Sequence, residues 1–286
     1  MRIARFTHNS RTRLGVVTGD LIADVGAEDP DVPADVGDLL ARGGASDHLS
    51  RLARRAPTYS LDEVRLEAPI ASPPAFLGVG LNYRLHADTF GLEKPDVPMV
   101  FNKQTTSVIG PSDPIPIPKA APEFVDYEGE LGVVIGRRCR GVPAARAGEV
   151  VAGYLVVNDV TVRDWQLRSP TMTMGKSWDG HGPTGPWMVT ADEIDPHRLR
   201  LRTWVDDELR QDASTAEMIH DCWALIEHVS TAFTLLPGTI ISTGTPAGVG
   251  FKMDPPQLLR AGQRVRVQID GIGAIDNPVV DEISVS

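Results

Sequence analysis

Residues 126–135 run Asp126-Tyr127-Glu128-Gly129-Glu130-Leu131-Gly132-Val133-Val134-Ile135. The second half is an unbroken run of apolar and β-forming residues. It predicts a strand buried on both faces, not one with a face turned to water. The two glutamates at its entrance conflict with that burial. Side chains at i and i+2 of a strand point to the same face, about 6–7 Å apart at the backbone. Two carboxylates held together away from water repel, and burying them is costly unless something positive lies between them. On an exposed strand a Glu-x-Glu pair is ordinary surface. Beside this apolar run it points to a divalent cation, and all-oxygen donors suit Mg²⁺, Mn²⁺ or Ca²⁺ better than zinc.

Outward from this strand the chain reads as mixed α/β and β-rich. Residues 1–70 form a small α+β module with strands over 3–7, 13–17 and 21–24 and a tight turn at Thr18-Gly19-Asp20. Short helices are expected over 35–42 and 47–55, with Asp35 and Asp47 as N-caps. Pro57, Pro69, Pro73 and Pro74 then interrupt the chain, which places a domain boundary near residue 70 and a larger domain over 71–286. Strands are expected over 75–80, 150–158, 199–205, 238–242 and 263–270. Residues 215–235 carry helical apolar spacing, and the proline-rich stretch 111–122 is extended.

Composition narrows the function. Hydrophobic residues make up 42% of the 286, enough for a substantial core, which excludes a disordered chain. A net charge of −10 argues against nucleic acid or an anionic membrane as partner. An anionic substrate must therefore be drawn in locally, by a metal, Lys or Arg. Cys139 and Cys222 form no CxxC motif and read as reduced thiols of a cytoplasmic protein. No apolar leader follows Met1, and no stretch is long enough to span a membrane.

Three further segments carry chemistry. Asp159 follows an apolar strand, and a helix begun there would put Arg163 and Gln166 on its face at offsets of four and seven. Residues 174–186 are rich in Gly and Pro and read as mostly loop, with Lys176 as a positioned charge. Residues 240–250 run from a strand into a glycine-rich turn, matching no nucleotide-binding loop, whose N–H groups and Thr hydroxyls suit a carboxylate.

Taken in order, Asn82-Tyr83-x-x-His86, Asp126-Tyr127-Glu128-x-Glu130-Leu131, Asn158-Asp159-Val160-Thr161-x-Arg163-Asp164-x-Gln166, Gly175-Lys176-Ser177-x-Asp179 and Ser242-Thr243-Gly244-Thr245-Pro246-x-Gly248-Val249-Gly250 resemble the fumarylacetoacetate hydrolase (FAH) family, in its acylpyruvase-like branch. Gly271-Ile272-Gly273 and Asn277-Pro278-Val279 extend the resemblance, which covers residues 70–286. It implies a mixed β-sandwich roll for that region, a homodimer, and a small anionic substrate. It implies Glu128, Glu130 and Asp159 as ligands of Mg²⁺ or Mn²⁺ and Lys176 as the active-site lysine. Tyr83, Arg163, Gln166 and Thr245 fall where relatives touch substrate or the water around the metal.

The implied reaction is hydrolysis of a C–C bond in a β-diketo acid such as an acylpyruvate. The departing electrons settle into an enolate, Lys176 faces the developing oxyanion, and His86 activates water. Hydrolytic relatives carry His-x-x-Glu. Here Thr89 occupies the third position after His86, and the candidate substitute partners are Asp88 and, if the loop brings it in, Glu93. The departure keeps a decarboxylase or a tautomerase (isomerase) of a 2-oxo or 2-hydroxy-enoate acid as the alternative. A metal-stabilised binding protein without turnover is the rival from another class, and the retained lysine and full carboxylate triad weigh against it. Trp165, Trp178, Trp187 and Phe90 are either pocket lining for the acyl group or core.

Overall fold

A computed structural model describes residues 1–44, 46–85 and 94–283. Its strands, in chain order, are β1 (Arg2–His8), β2 (Arg11–Thr18), β3 (Leu21–Ala23), β4 (Thr58–Ser60), β5 (Arg65–Glu67), β6 (Phe76–Gly80), β7 (Met99–Lys103), β8 (Val108–Ile109), β9 (Ile115–Ile117) and β10 (Val125–Asp126). They continue with β11 (Gly129–Ile135), β12 (Val151–Asn158), β13 (Thr161–Val162), β14 (Gly182–Thr190), β15 (Arg200–Val205), β16 (Glu208–Ser214), β17 (Ile240–Ser242), β18 (Arg264–Ile269) and β19 (Gly273–Asp281). The α-helices are α1 (Val25–Glu28), α2 (Val36–Ala41), α3 (Ser46–Ala53), α4 (Arg163–Gln166), α5 (Thr173–Lys176) and α6 (Cys222–Ala232).

The large sheet runs β4-β3-β2-β1-β14-β12-β11-β17-β6-β7, with β5 and β8 attached at β1 and β14. A second sheet runs β16-β15-β18-β19-β9. Strand β11 lies at the centre of the large sheet and is buried at every residue. The two-residue period divides it between two cores. Leu131, Val133 and Ile135 pack in a core with Leu201, Val265 and Val267 of the second sheet and Leu225 and Val229 of α6. Val134 joins Leu155, Val157, Phe76 and, from the N-terminal helices, Val36, Leu39, Leu49 and Leu52. Cover on both faces is why this strand reads as a continuous apolar run.

Several local expectations change. Residues 182–190, expected as mostly loop up to 186, are the central strand β14. Their prolines mislead because the ladder to β12 slips there: Gly185 pairs with Val156 and Val189 with Tyr154. Pro186 thus lies in the irregular stretch, where no ladder N–H is required of it. The 215–235 segment is not one helix. A 3₁₀ turn, Thr215–Glu217, precedes α6, which starts only where the Asp221 side chain caps Ala224 N at 2.8 Å. Asp35 caps α2 as expected, whereas Asp47 lies inside the first turn of α3.

Candidate metal and active site

The antiparallel register of β11 and β12 sets Gly129 opposite Asn158 and Glu130 opposite Val157. Just beyond it, Asp159 N donates to Glu128 O at 2.8 Å and Glu128 N to Asn158 Oδ1 at 3.0 Å. Glu128 and Glu130 share a parity, and Asp159 leaves the adjacent strand end beside them. One carboxylate oxygen from each lies within 4.8 Å of the others. All three residues are buried, at 5%, 1% and 0% exposure, so water is not what keeps them apart.

Cations hold them instead. Lys176 Nζ lies 2.7 Å from Glu128 Oε2 and 2.7 Å from Asp159 Oδ2. Lys103 Nζ reaches the other oxygen of Asp159 at 2.7 Å and also donates to the Lys176 carbonyl. The Arg163 guanidinium spans Asp126, at 2.8 Å, and Glu128, at 2.5 Å. Glu130 accepts from Ser242 Oγ at 2.6 Å and Gly244 N at 2.8 Å. Asp126 accepts from Gly250 N and Phe251 N at 2.9 and 3.0 Å. Burial alone would push the Lys176 pKa down, but Asp159 and Glu128 outweigh it and the ammonium is favoured. At Lys103 burial wins and the pKa falls despite Asp159. Burial, then Asp159 and Glu128, push Glu130 well above the usual carboxylate range.

Among the described residues, Asp126, Glu128, Glu130 and Asp159 thus face Lys103, Arg163 and Lys176, four acids against three cations. Glu130 has no cation of its own in that set, and burial, then Asp159 and Glu128, raise its pKa. A buried, all-oxygen, acid-rich donor set of this kind fits a hard divalent cation.

The cluster opens into a cavity of about 460 Å³ lined by Glu128, Arg163, Gln166, Lys176 and Thr245 on its polar side. Gln166 Oε1 accepts from Arg163 at 3.1 Å. The Thr245 hydroxyl donates to Gly129 O at 3.0 Å and accepts from Gln211 Nε2 at 2.7 Å. Tyr83 is 1% exposed and not part of this lining, but its hydroxyl lies within electrostatic reach of Glu130 and has no hydrogen-bond partner among the described residues. His86, Asp88 and Glu93, with Thr89 and Phe90, lie outside the described residues. Asp159 and Arg163 do not share a helix. Val160 and β13 intervene, α4 starts only at Arg163, and the guanidinium reaches Asp126 on β10. Trp165 and Trp178 pack edge to face at 5.1 Å, line a different cleft, and leave this cavity to other side chains.

Sequence reasoning passed over Lys103, Gln211 and Ser242. Lys103 follows Asn102 at the end of β7, and Gln211 stands between Arg210 and Asp212 in β16, so no local spacing separates either from solvated neighbours. Ser242 was legible only as part of the glycine-rich turn. The N–H of Gly244 in that turn, and those of Gly250 and Phe251, are directed at protein carboxylates.

Residues 75–280 match the model of the fumarylacetoacetate (FAA) hydrolase C-terminal family, and residues 1–69 match the Rv2993c-like N-terminal family. The chain belongs to the fumarylacetoacetate hydrolase family. Among solved family structures, a fumarylacetoacetate hydrolase from psychrophilic Exiguobacterium antarcticum is 36% identical with a TM-score of 0.88, covering 99% of this chain and 100% of its own. Maleylpyruvate hydrolase from Sphingobium sp. SYK-6, in complex with manganese(II) and pyruvate, is 33% identical with a TM-score of 0.82 at the same coverage. A Mycobacterium marinum 2-hydroxyhepta-2,4-diene-1,7-dioate isomerase is 34% identical, with a TM-score of 0.79 and again the same coverage. A Burkholderia ambifaria relative with a provisional hydrolase name is 43% identical over 280 residues, 96% of each chain. This FAH family member therefore stands among both hydrolases and isomerases. No helix among its described residues is long and apolar enough to cross a membrane.

Proposed function

We propose that the protein is a Mg²⁺- or Mn²⁺-dependent hydrolase that cleaves a C–C bond of an acylpyruvate-like β-diketo acid. The observation that carries this reading is the buried triad of Glu128, Glu130 and Asp159, with Lys176 bridging Glu128 and Asp159 and both Glu128 and Lys176 on the cavity wall. These three carboxylates would hold the cation, which when bound supplies a Lewis acid for a substrate carboxylate and 2-oxo group.

The remaining roles belong to the chain itself. Arg163 locks the Glu128 carboxylate by a second charge-assisted bond, so that Glu128 cannot swing away. Lys176 is kept protonated by its carboxylate neighbours and places fixed positive charge where oxyanion character develops. Gln166 and Thr245 offer polar atoms on the cavity wall for the substrate acid. His86, assisted by Asp88, takes a proton from the attacking water. The proposal extends to an accessory domain over 1–70, a catalytic domain over 71–286, and a cytoplasmic homodimer.

Two experiments test it. Turnover of acylpyruvates and oxaloacetate with Mn²⁺, followed by loss of enol absorbance and product identification, should yield two fragments with water incorporated. Glu128→Ala should lose bound metal and nearly all activity, and full activity at unchanged metal content would remove Glu128 from the ligand set. A second reading is favoured by Thr89, which stands where hydrolytic relatives carry Glu. Release of CO₂, or a product of unchanged mass, would make the enzyme a decarboxylase or an isomerase.

A further inference from the structure

Strand β7 runs from the buried carboxylate cluster at Lys103 to the cavity wall at Phe101 and Met99. Met99, Phe101 and Lys103 alternate onto one face of that strand. Lys103 and Phe101 are buried, whereas Met99 is 40% exposed. Lys103 holds Asp159 at the inner end, and Lys176 Nζ lies 4.8 Å from the Phe101 ring centroid. Met99 marks the outer end, about 13 Å from Lys103 along an extended strand.

Glycines on the neighbouring strand make room for this surface. Gly78 pairs with Phe101 and Gly80 with Met99. A Cβ at Gly78 would lie 2.3 Å from the Phe101 ring, and one at Gly80 would lie 3.2 Å from the Met99 sulfur and 3.8 Å from Met172 Cε. Phe101, Met99 and Met172 therefore converge over bare β6 backbone. Leu81 and Met172 line the same cavity with φ of 54° and 57°, left-handed values that non-glycine residues seldom take. Leu167, 72% exposed, lies at the rim.

Among the described residues each cation of the lining already has a carboxylate partner, and only Arg168, at the exposed rim, has a weak one. Lys176 and Arg163 hold the buried carboxylates. Arg168, the third, pairs with Asp164 at 2.9 Å and stacks 4.1 Å from the Trp165 ring centroid.

We propose that this outer half is an acyl subsite for an apolar group, so that the preferred substrate is a 2,4-dioxo acid bearing an alkyl or aryl tail and no second carboxylate. The assignment rests on the cavity being the dioxo-acid site argued above. Two methionines and a phenyl ring give an adaptable apolar surface, and a carboxylate placed among them would lose water, with only the rim Arg168 to compete for against Asp164.

The test compares kcat/KM of the Mn²⁺-loaded enzyme for 2,4-dioxopentanoate, 2,4-dioxooctanoate and 2,4-dioxooctanedioate. The octanoate should exceed each of the others by about tenfold or more, since each buried methylene is worth roughly fourfold. Equal or better use of the dioate overturns the assignment. Mn²⁺-dependent thermal shifts with 2-oxooctanoate and 2-oxooctanedioate, which need no turnover, should give the same order. If no dioxo acid is cleaved but 2-oxooctanoate binds more tightly, the subsite stands and the hydrolase reading falls. If neither 2-oxo acid binds, or the dioate binds more tightly, the subsite falls. Met99→Lys should shift the octanoate-to-dioate ratio by about tenfold toward the dioate. Met172→Lys repeats the test from the other side of the floor should the first variant not fold. An unchanged ratio in a folded variant counts against the subsite.

Discussion

Lys176 is the residue on which the electrostatics of the site turn. It is 2% exposed, and its ammonium bridges two carboxylates that have almost no water to replace it. Lys176→Met should lower the stability of the metal-free protein by about 3–5 kcal/mol, the usual cost of leaving buried charge without its partner. Mn²⁺ should restore a large part of that loss, because a divalent ion returns positive charge to the same oxygens. Urea denaturation of the variant with and without Mn²⁺ measures both, and an unchanged midpoint in metal-free buffer would show that Arg163 and Lys103 suffice. The pairing itself was only half legible. A lysine in a glycine-rich loop suggests a fixed charge, but the partners of Lys176 lie 48 and 17 residues away in sequence. No local period encodes such distances. Lys103 carried less signal still, since it ends an ordinary strand and becomes singular only when Asp159 arrives against it.

At the scale of elements, the junction of β12 and β14 joins the strands that carry the site to those of the N-terminal region. Strand β14 pairs with β12 on one side and β1 on the other. Gly153 on β12 approaches so closely that an added Cβ would lie 2.1 Å from the Val189 carbonyl oxygen. Backbone cannot swing aside as a side chain does. Gly153→Ala should therefore cost about 3 kcal/mol or more, at or beyond the upper end of ordinary overpacking. Chemical denaturation checks this against Gly43→Ala, where the added atom meets open space and only the positive φ of 81° is penalised. If the two variants unfold alike, close packing at this junction is not what limits Gly153. The strand was also the element least visible in the sequence. Apolar runs such as 131–135 announce themselves, whereas Gly182-Pro183-Thr184-Gly185-Pro186 has turn composition and is made a strand by its neighbours.

For the whole molecule, pH acts through groups the fold buries in one protonation state. His181 is fully buried, its Nε2–H donates to Pro116 O at 2.8 Å, and its Nδ1 has no partner among the described residues. Burial, against a weaker opposing effect of the Pro116 hydrogen bond, lowers its pKa to about 4. The unfolded chain takes up the proton near pH 6.5, while the folded one resists until about pH 4. Its contribution is thus fully present above pH 6.5 and is lost as pH falls toward 4, by about 3 kcal/mol in all. Melting temperatures from pH 7 to pH 4.5 should fall more steeply for the natural protein than for His181→Gln, and parallel curves would assign the acid sensitivity elsewhere.

The amino-acid sequence by itself determined the class of the fold, the burial of the 131–135 strand, and the family. It also marked Glu128, Glu130 and Asp159 as acids in an apolar setting. Those signals are local, because burial on two faces selects continuous apolar runs and short motifs keep their order along the chain. Tertiary structure alone decided which cation meets which carboxylate, that the Gly- and Pro-rich residues 182–186 join the central sheet, and that glycines of β6 open a cleft over Phe101 and Met99. The physical reason is range. Charge pairing and close approach act between atoms that register and packing bring together, and neither leaves a period in the chain.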